Sequence, residues 1–238
     1  MANKVVVFDL DETLGCFVQF GIIQQGICDY FKKETLTQHE FNKLLDIYPD
    51  FLRPLILEIT KYIYKKKKSG EYKKVCIYTN NTGPRSWTLS ISKYFDYKLK
   101  IPKNDSLFDR CICAFMVNNK RLELFRTSHQ KNYDDLVKCA RLPKNTHVCF
   151  IDDVHHPGME HDNVYYIYIK PYEFEYSITE IIDKYLKNPI IPVKDSNDFK
   201  HFMTNYYNNN WNYSKKTAKE QDIDTIVTKQ IYKCLKDF

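Results

Sequence analysis

The sequence predicts an α/β protein built on a mainly parallel sheet, and three observations carry that prediction. Short apolar runs at Val5–Phe8, Val75–Tyr78, Val148–Ile151 and Val164–Ile169 have the length and β-branched content of buried strands. Helical patterns separate these runs, three of them opened by Ser/Thr-x-x-Glu capping boxes at Thr37, Ser177 and Thr217. Chemistry-bearing residues stand at the carboxyl ends of the runs: Asp9 with Asp11, Thr79, and Asp152 with Asp153. Open α/β sheets form their sites there, in the crevice beyond the strand tips.

In chain order, Val5–Phe8 is the first strand. Gly15 to Gly26 alternates apolar and polar residues loosely, which predicts a short hairpin. Residues 27–49 read as a small helical insertion containing a helix from the Thr37 capping box to Leu45. A second helix is expected from about Pro54, with Leu52, Ile56, Ile59 and Ile63 as its apolar face and Lys65–Lys68 in its last turn. Val75–Tyr78 follows, then a helix from Pro84 to about Phe95. A strand is expected over Cys111–Val117 with Asn118-Asn119 as its turn. A helix over Tyr133–Ala140 leads into Val148–Ile151, and the Ser177 box opens one ending near Leu186. From Asn188 the composition shifts to a Tyr- and Asn-rich stretch. A helix opened by Thr217 follows, whose apolar positions Ile223, Ile226, Val227, Ile231 and Cys234 predict packing on the parent domain.

Bulk properties narrow the function. At 238 residues and 43% hydrophobic content, one good-sized core is expected, with residues 188–238 as an extension rather than a second large domain. A net charge of +6 suits an anionic partner, but the lysines are scattered, unlike those of a dedicated nucleic-acid binder. The eight cysteines show no Cys-x-x-Cys spacing, and Cys76, Cys111, Cys113 and Cys149 sit in apolar runs. Reduced thiols in a cytosolic or nuclear protein are therefore expected. There is no signal-like amino-terminal segment and no apolar run approaching about 18 residues, so no membrane partner is expected.

Asp9 and Asp11 lie two residues apart, so in extended backbone both carboxylates face one side, where two like charges require a cation or a shared proton. Asp152-Asp153 at another strand tip is a second acidic pair with the same requirement. His155, His156, His161 and Asp162 raise a zinc site as a minor alternative; a loop framing a substrate mouth is the better reading.

An apolar strand followed by Asp-Leu-Asp-Glu-Thr, a strand ending in Thr79, a lysine ahead of a helix and the strand-end pair Asp152-Asp153 together resemble the haloacid dehalogenase (HAD) superfamily of aspartate-nucleophile phosphatases. Within it, the chain is most similar to the RNA polymerase II C-terminal-domain phosphatase and NLI-interacting-factor-like group. It departs from that group at Asp153, where Asn is usual, and at Thr79-Asn80-Asn81. The resemblance covers about residues 1–187. It implies a Rossmannoid three-layer fold with a small flap, confined to insertions at about 15–50, in place of a large cap. It implies Asp9 as nucleophile, Asp11 as general acid–base, and Thr79 and Lys131 as phosphoryl clamps, with Lys138 the competing lysine. Mg²⁺ would be held by Asp9, the Asp11 carbonyl, Asp152 and Asp153, and Thr13, Asn80 and Arg126 would contact substrate, with His129 nearby. The expected activity is hydrolysis of a phosphomonoester on a macromolecule, a phosphoprotein being favoured. A nucleic-acid end phosphatase or nucleotide phosphatase is the first rival, and a non-catalytic interaction protein the second.

Overall fold

The computed structural model describes residues 3–211 and 216–238. The strands are β1 (Lys4–Phe8), β2 (Tyr72–Tyr78), β3 (Arg110–Ile112), β4 (Met116–Val117), β5 (Lys120–Arg121), β6 (His147–Asp152) and β7 (Val164–Tyr168). The helices are α1 (Val18–Tyr30), α2 (Gln38–Ile47), α3 (Ile56–Lys68), α4 (Arg85–Lys98), α5 (Tyr133–Ala140), α6 (Ile178–Lys187), α7 (Ser196–Asn210) and α8 (Ala218–Asp237). Five strands form one sheet in the order β3-β2-β1-β6-β7, and every neighbouring pair is parallel. The chain leaves β1 towards β2 and returns on its other side as β6. The crevice at the β1 and β6 tips is therefore the switch point where such sheets bind ligands.

Alternation along β1 divides the core. Val5 and Val7 face a smaller layer with Tyr133, Leu136 and Met159, whereas Val6 and Phe8 face the large core built with the remaining helices. Burial on both faces is why these strands read as unbroken apolar runs.

Several elements differ from the sequence expectation. Residues 15–26 do not form a hairpin: Gly15 makes single bridges to Asp11 and Leu52, and the chain then enters α1. Phe20, Ile23 and Ile27 recur at helical spacing and are all buried, so the 3.6-residue period prevails over the loose alternation. Phe41, Leu44 and Leu45 of α2 join the same core, so this segment is part of the domain body and not a peripheral flap. The strand expected over Cys111–Val117 breaks after Ile112. Met116–Val117 pairs instead with β5 in a hairpin whose turn residues, Asn118 and Asn119, have φ of 49° and 60°, which Asn tolerates.

Helix α7 lies in the Tyr- and Asn-rich stretch, of which residues 212–215 fall outside the described ones. Asp195 caps it, and Phe199, Met203 and Tyr207 bury one face at i, i+4, i+8. Helix α8 opens at the Thr217 capping box, and of the expected stripe Ile231, Val227 and Cys234 pack on the core while Ile223 and Ile226 do not. Asp224, Thr228, Ile231 and Leu235 face inward, whereas Ile226 is 63% exposed and Ile223 36%. Lys170 and Lys216 both turn onto the buried Asp224 carboxylate, so its charge is paired on that inward face.

No described helix is long and apolar enough to cross a membrane, and all eight cysteines are unpaired.

Candidate active site

The Asp9 N–H donates to Ile151 O at 2.9 Å, carrying the β1–β6 ladder one residue past the strand and placing Asp9 at the switch-point crevice. The chain then turns sharply, with Leu14 N–H on Leu10 O and Glu12 in the left-handed region at φ 59°. Buried Leu10 and Leu14 anchor the turn from below. Arg53, 1% exposed, holds it from the side: Nε donates to Thr13 O at 2.7 Å, and Nη2 donates to Glu12 O at 2.6 Å and Lys170 O at 2.9 Å.

Around this turn the acidic residues converge. Lys131, 2% exposed, donates from Nζ to Asp9 Oδ1 and, at 2.7 Å, to Asp152 Oδ2, so one ammonium bridges the tips of β1 and β6. Val154 N–H occupies Asp152 Oδ1, and Thr13 Oγ1 donates to Asp153 Oδ1, both at 2.8 Å. Across the pocket, Asn81 Nδ2 donates to Asp11 Oδ2 at 2.7 Å, while Asp11 Oδ1 is buried without a partner. The cavity measures about 380 Å³, and exposed Val18 and Val154 stand with Glu12 at its rim.

Burial raises the Asp9 carboxyl well above its ordinary value against the pull of Lys131, and the charge of Asp152 adds to the rise. Burial also raises Asp11, opposed by the Asn81 hydrogen bond, and Asp153, opposed by Thr13. Asp152 moves the other way: burial penalises its charge, but His156 and Lys131 outweigh that and hold it low. For Lys131, burial disfavours the ammonium, and Asp9 and Asp152 more than compensate.

Four carboxyl groups thus face a single ammonium. One oxygen from each of Asp9, Asp152 and Asp153 lies within 4.8 Å of the others, an all-oxygen donor set that fits a hard divalent cation. The Asp11 side chain stands outside that set, held by Asn81. Comparison with family models, curated proteins and solved structures finds no match.

Asp9, Asp11, Thr79, Lys131, Asp152 and Asp153 therefore line one pocket. Lys138 does not reach it; it is exposed on α5 and lines a separate cavity beside His161. Arg126 and Thr13, expected at the substrate, do not line that pocket. Arg126 is fully buried, donating to the Thr79, Cys113 and His129 carbonyls and to Asn80 Oδ1, so it braces the tips of β2 and β3. Thr13 is 1% exposed and its hydroxyl is committed to Asp153. Exposed Asn80 remains at the rim.

The histidines of the zinc alternative diverge. His155 pairs with Glu160, His161 stacks on Tyr133, and His156 alone turns inward, its Nε2 3.4 Å from Asp152 Oδ2. Sequence reasoning missed Asn81 and Arg53, and named His156 only within the histidine cluster. Asn81 lies two residues beyond Thr79, the same spacing that paired Asp9 with Asp11, and could have been found by it. Nothing local marks Arg53, whose partners come from two distant segments.

Proposed function

We propose that this chain is a magnesium-dependent phosphatase of the HAD type that passes a phosphoryl group to Asp9 and then to water. The observation that carries the reading is the clustering of the Asp9, Asp152 and Asp153 carboxylates, two of them, Asp9 and Asp152, paired with one buried lysine, with Asp11 lining the same pocket. Phosphoryl transfer requires positioning and charge neutralisation above all, and that is what this arrangement can supply. Mg²⁺ held by Asp9, Asp152 and Asp153 would neutralise charge on the transferring group.

Asp9 Oδ1 is tied to Lys131, so Oδ2 attacks phosphorus; the Asp9–phosphorus bond forms as the bond to the leaving oxygen breaks. Asp11 gives its proton to that oxygen and later takes one from the water that hydrolyses the aspartyl-phosphate. Thr79 Oγ1 accepts from Asn81 N–H at 2.9 Å, which leaves its own proton to donate to a phosphoryl oxygen.

The surface favours a phosphoprotein over nucleic acid. Lys66, Lys67 and Lys68 pair with Glu71, Asp109 and Asp105, so the basic run is largely neutralised. The cavity beside the mouth carries Glu12, Glu173 and Glu220, while its lysines Lys170 and Lys216 turn onto Asp224. A polyanion approaching there meets carboxylates.

The test is hydrolysis of phosphopeptides, phosphorylated oligonucleotides, nucleotides and sugar phosphates, with Mg²⁺ and with chelator, using Asp9→Asn as control. Mg²⁺-dependent release from phosphopeptides supports the reading. Turnover unaffected by complete chelation refutes the metal role, and preference for the oligonucleotide refutes the substrate class.

A further inference from the structure

Asn81 belongs to none of the groups the phosphatase chemistry requires, yet both ends of its side chain are committed. Its Oδ1 accepts from Gly83 N–H at 2.8 Å, and its Nδ2 donates to Asp11 Oδ2 at 2.7 Å. A backbone N–H can only donate, so Gly83 fixes which end of the amide is oxygen and turns the NH₂ towards Asp11. The grip falls on one carboxyl oxygen of Asp11 and leaves Oδ1 buried and without a hydrogen-bond partner, on a residue that lines the pocket.

Gly83 is closely fitted to this arrangement. A Cβ at that position would stand 2.8 Å from Asn81 Oδ1, and its next neighbour, Trp87 Cδ1, is 3.8 Å away. The Gly83 backbone is not in the left-handed region. Alanine there would displace the amide and strain little else.

We propose that Asn81, aimed by Gly83, is the positioning residue for the acid–base step: it holds Asp11 so that Oδ1 meets the leaving oxygen. The inference rests on the phosphatase reading and adds the device that orients its proton donor. During transfer the Asp11 proton goes to the leaving oxygen as its bond to phosphorus breaks, and Asp11 Oδ2 stays on the Asn81 amide throughout.

The experiment uses the Mg²⁺-loaded full chain as wild type, Asn81→Ala and Gly83→Ala, on two substrates. Nitrophenyl phosphate has a leaving group that departs without a proton, whereas an alkyl phosphate needs one. The quantity read is kcat/KM, which covers steps through the first phosphoryl transfer.

Both variants lose about 10²-fold on the alkyl phosphate, as misplacing a reacting group by about 1 Å does, and a much smaller factor on nitrophenyl phosphate. Gly83→Ala keeps the Asn81 amide, so its agreement with Asn81→Ala separates aim from mere presence, and it serves alone if Asn81→Ala does not fold. Equal losses on the two substrates, or a KM rise on both, would overturn the inference by making Asn81 a structural or substrate-contacting residue. Gly83→Ala behaving as wild type on the alkyl phosphate would overturn it too. A wild-type protein that hydrolyses neither ester would overturn the phosphatase reading itself, and this inference with it.

Discussion

Replacing Arg53 with Met tests whether one buried guanidinium holds the turn that carries Asp9 and Asp11. The methionine retains most of the apolar stem but none of the donors. Its three acceptors are not equivalent. Glu12 O also receives Tyr172 N–H at 2.8 Å and keeps that bond, and Lys170 O lies on an exposed residue where water can replace Arg53. Thr13 O is buried and is left unsatisfied. A stranded buried acceptor costs about 1–3 kcal/mol, and a hydrogen bond from a charged donor contributes about 1.5–3 kcal/mol. Relief of burying the guanidinium, whose pKa burial pushes down to about 10, offsets part of this. A net loss of roughly 2–4 kcal/mol follows, against total stabilities of about 5–15 kcal/mol. For a chain of this size that lowers Tm by roughly 5–15 °C. Arg53→Lys, whose single ammonium serves fewer acceptors, should fall between the two. Thermal denaturation gives the shift and phosphopeptide hydrolysis gives the loss of turnover. A Met variant that melts with the wild type, or melts early yet turns over normally, would refute the idea that Arg53 holds the catalytic turn.

Asp9→Asn should abolish turnover and any phosphoenzyme. Asp11→Asn keeps the nucleophile and loses about 10²–10⁴ in rate, and after acid quench with nitrophenyl phosphate it should retain covalent phosphate that Asp9→Asn lacks; phosphate on Asp9→Asn would mean the nucleophile is misassigned. Asp9, Asp11 and Asp153 have raised carboxyl pKa values, so they contribute stability that is full below the unfolded value of about 3.9 and lost as pH climbs through the folded values. Mg²⁺ should therefore raise Tm more near neutral pH than at about pH 5, and an equal shift at both would show that the cation does not relieve these charges. In the carboxyl-terminal helix, Leu235→Ala should cost about 2–5 kcal/mol, whereas Ile226→Lys should fall within about 0.5 kcal/mol of wild type. Chemical denaturation of both variants checks which face of α8 is buried.

By itself the sequence determined the alternation of strands and helices, the three capping boxes and the acidic residues at the strand tips, because each is written in neighbours a few residues apart. A run of β-branched residues ending in Asp152-Asp153 has few other ways to satisfy both its apolar and its charged parts. Only the tertiary structure decided the rest. Strand order β3-β2-β1-β6-β7 brings Asp9 beside Asp152, 143 positions along the chain, and Lys131 is selected over Lys138 because it alone projects into that crevice. Residues 15–26 carry both a weak alternation and a helical period, and burial of Phe20, Ile23 and Ile27 against the core selects the helix. On α8 the inward face holds Ile231 and Leu235 together with Asp224, whose partners Lys170 and Lys216 are placed by other segments, while Ile223 and Ile226 are left exposed. Arg126 reads as a substrate contact in one dimension, and the fold brings the carbonyls of Thr79, Cys113 and His129 to its guanidinium and leaves it out of the pocket lining. An arginine's role depends on what lies within reach of its fork, and for a buried one the fold assembles those partners from distant parts of the chain.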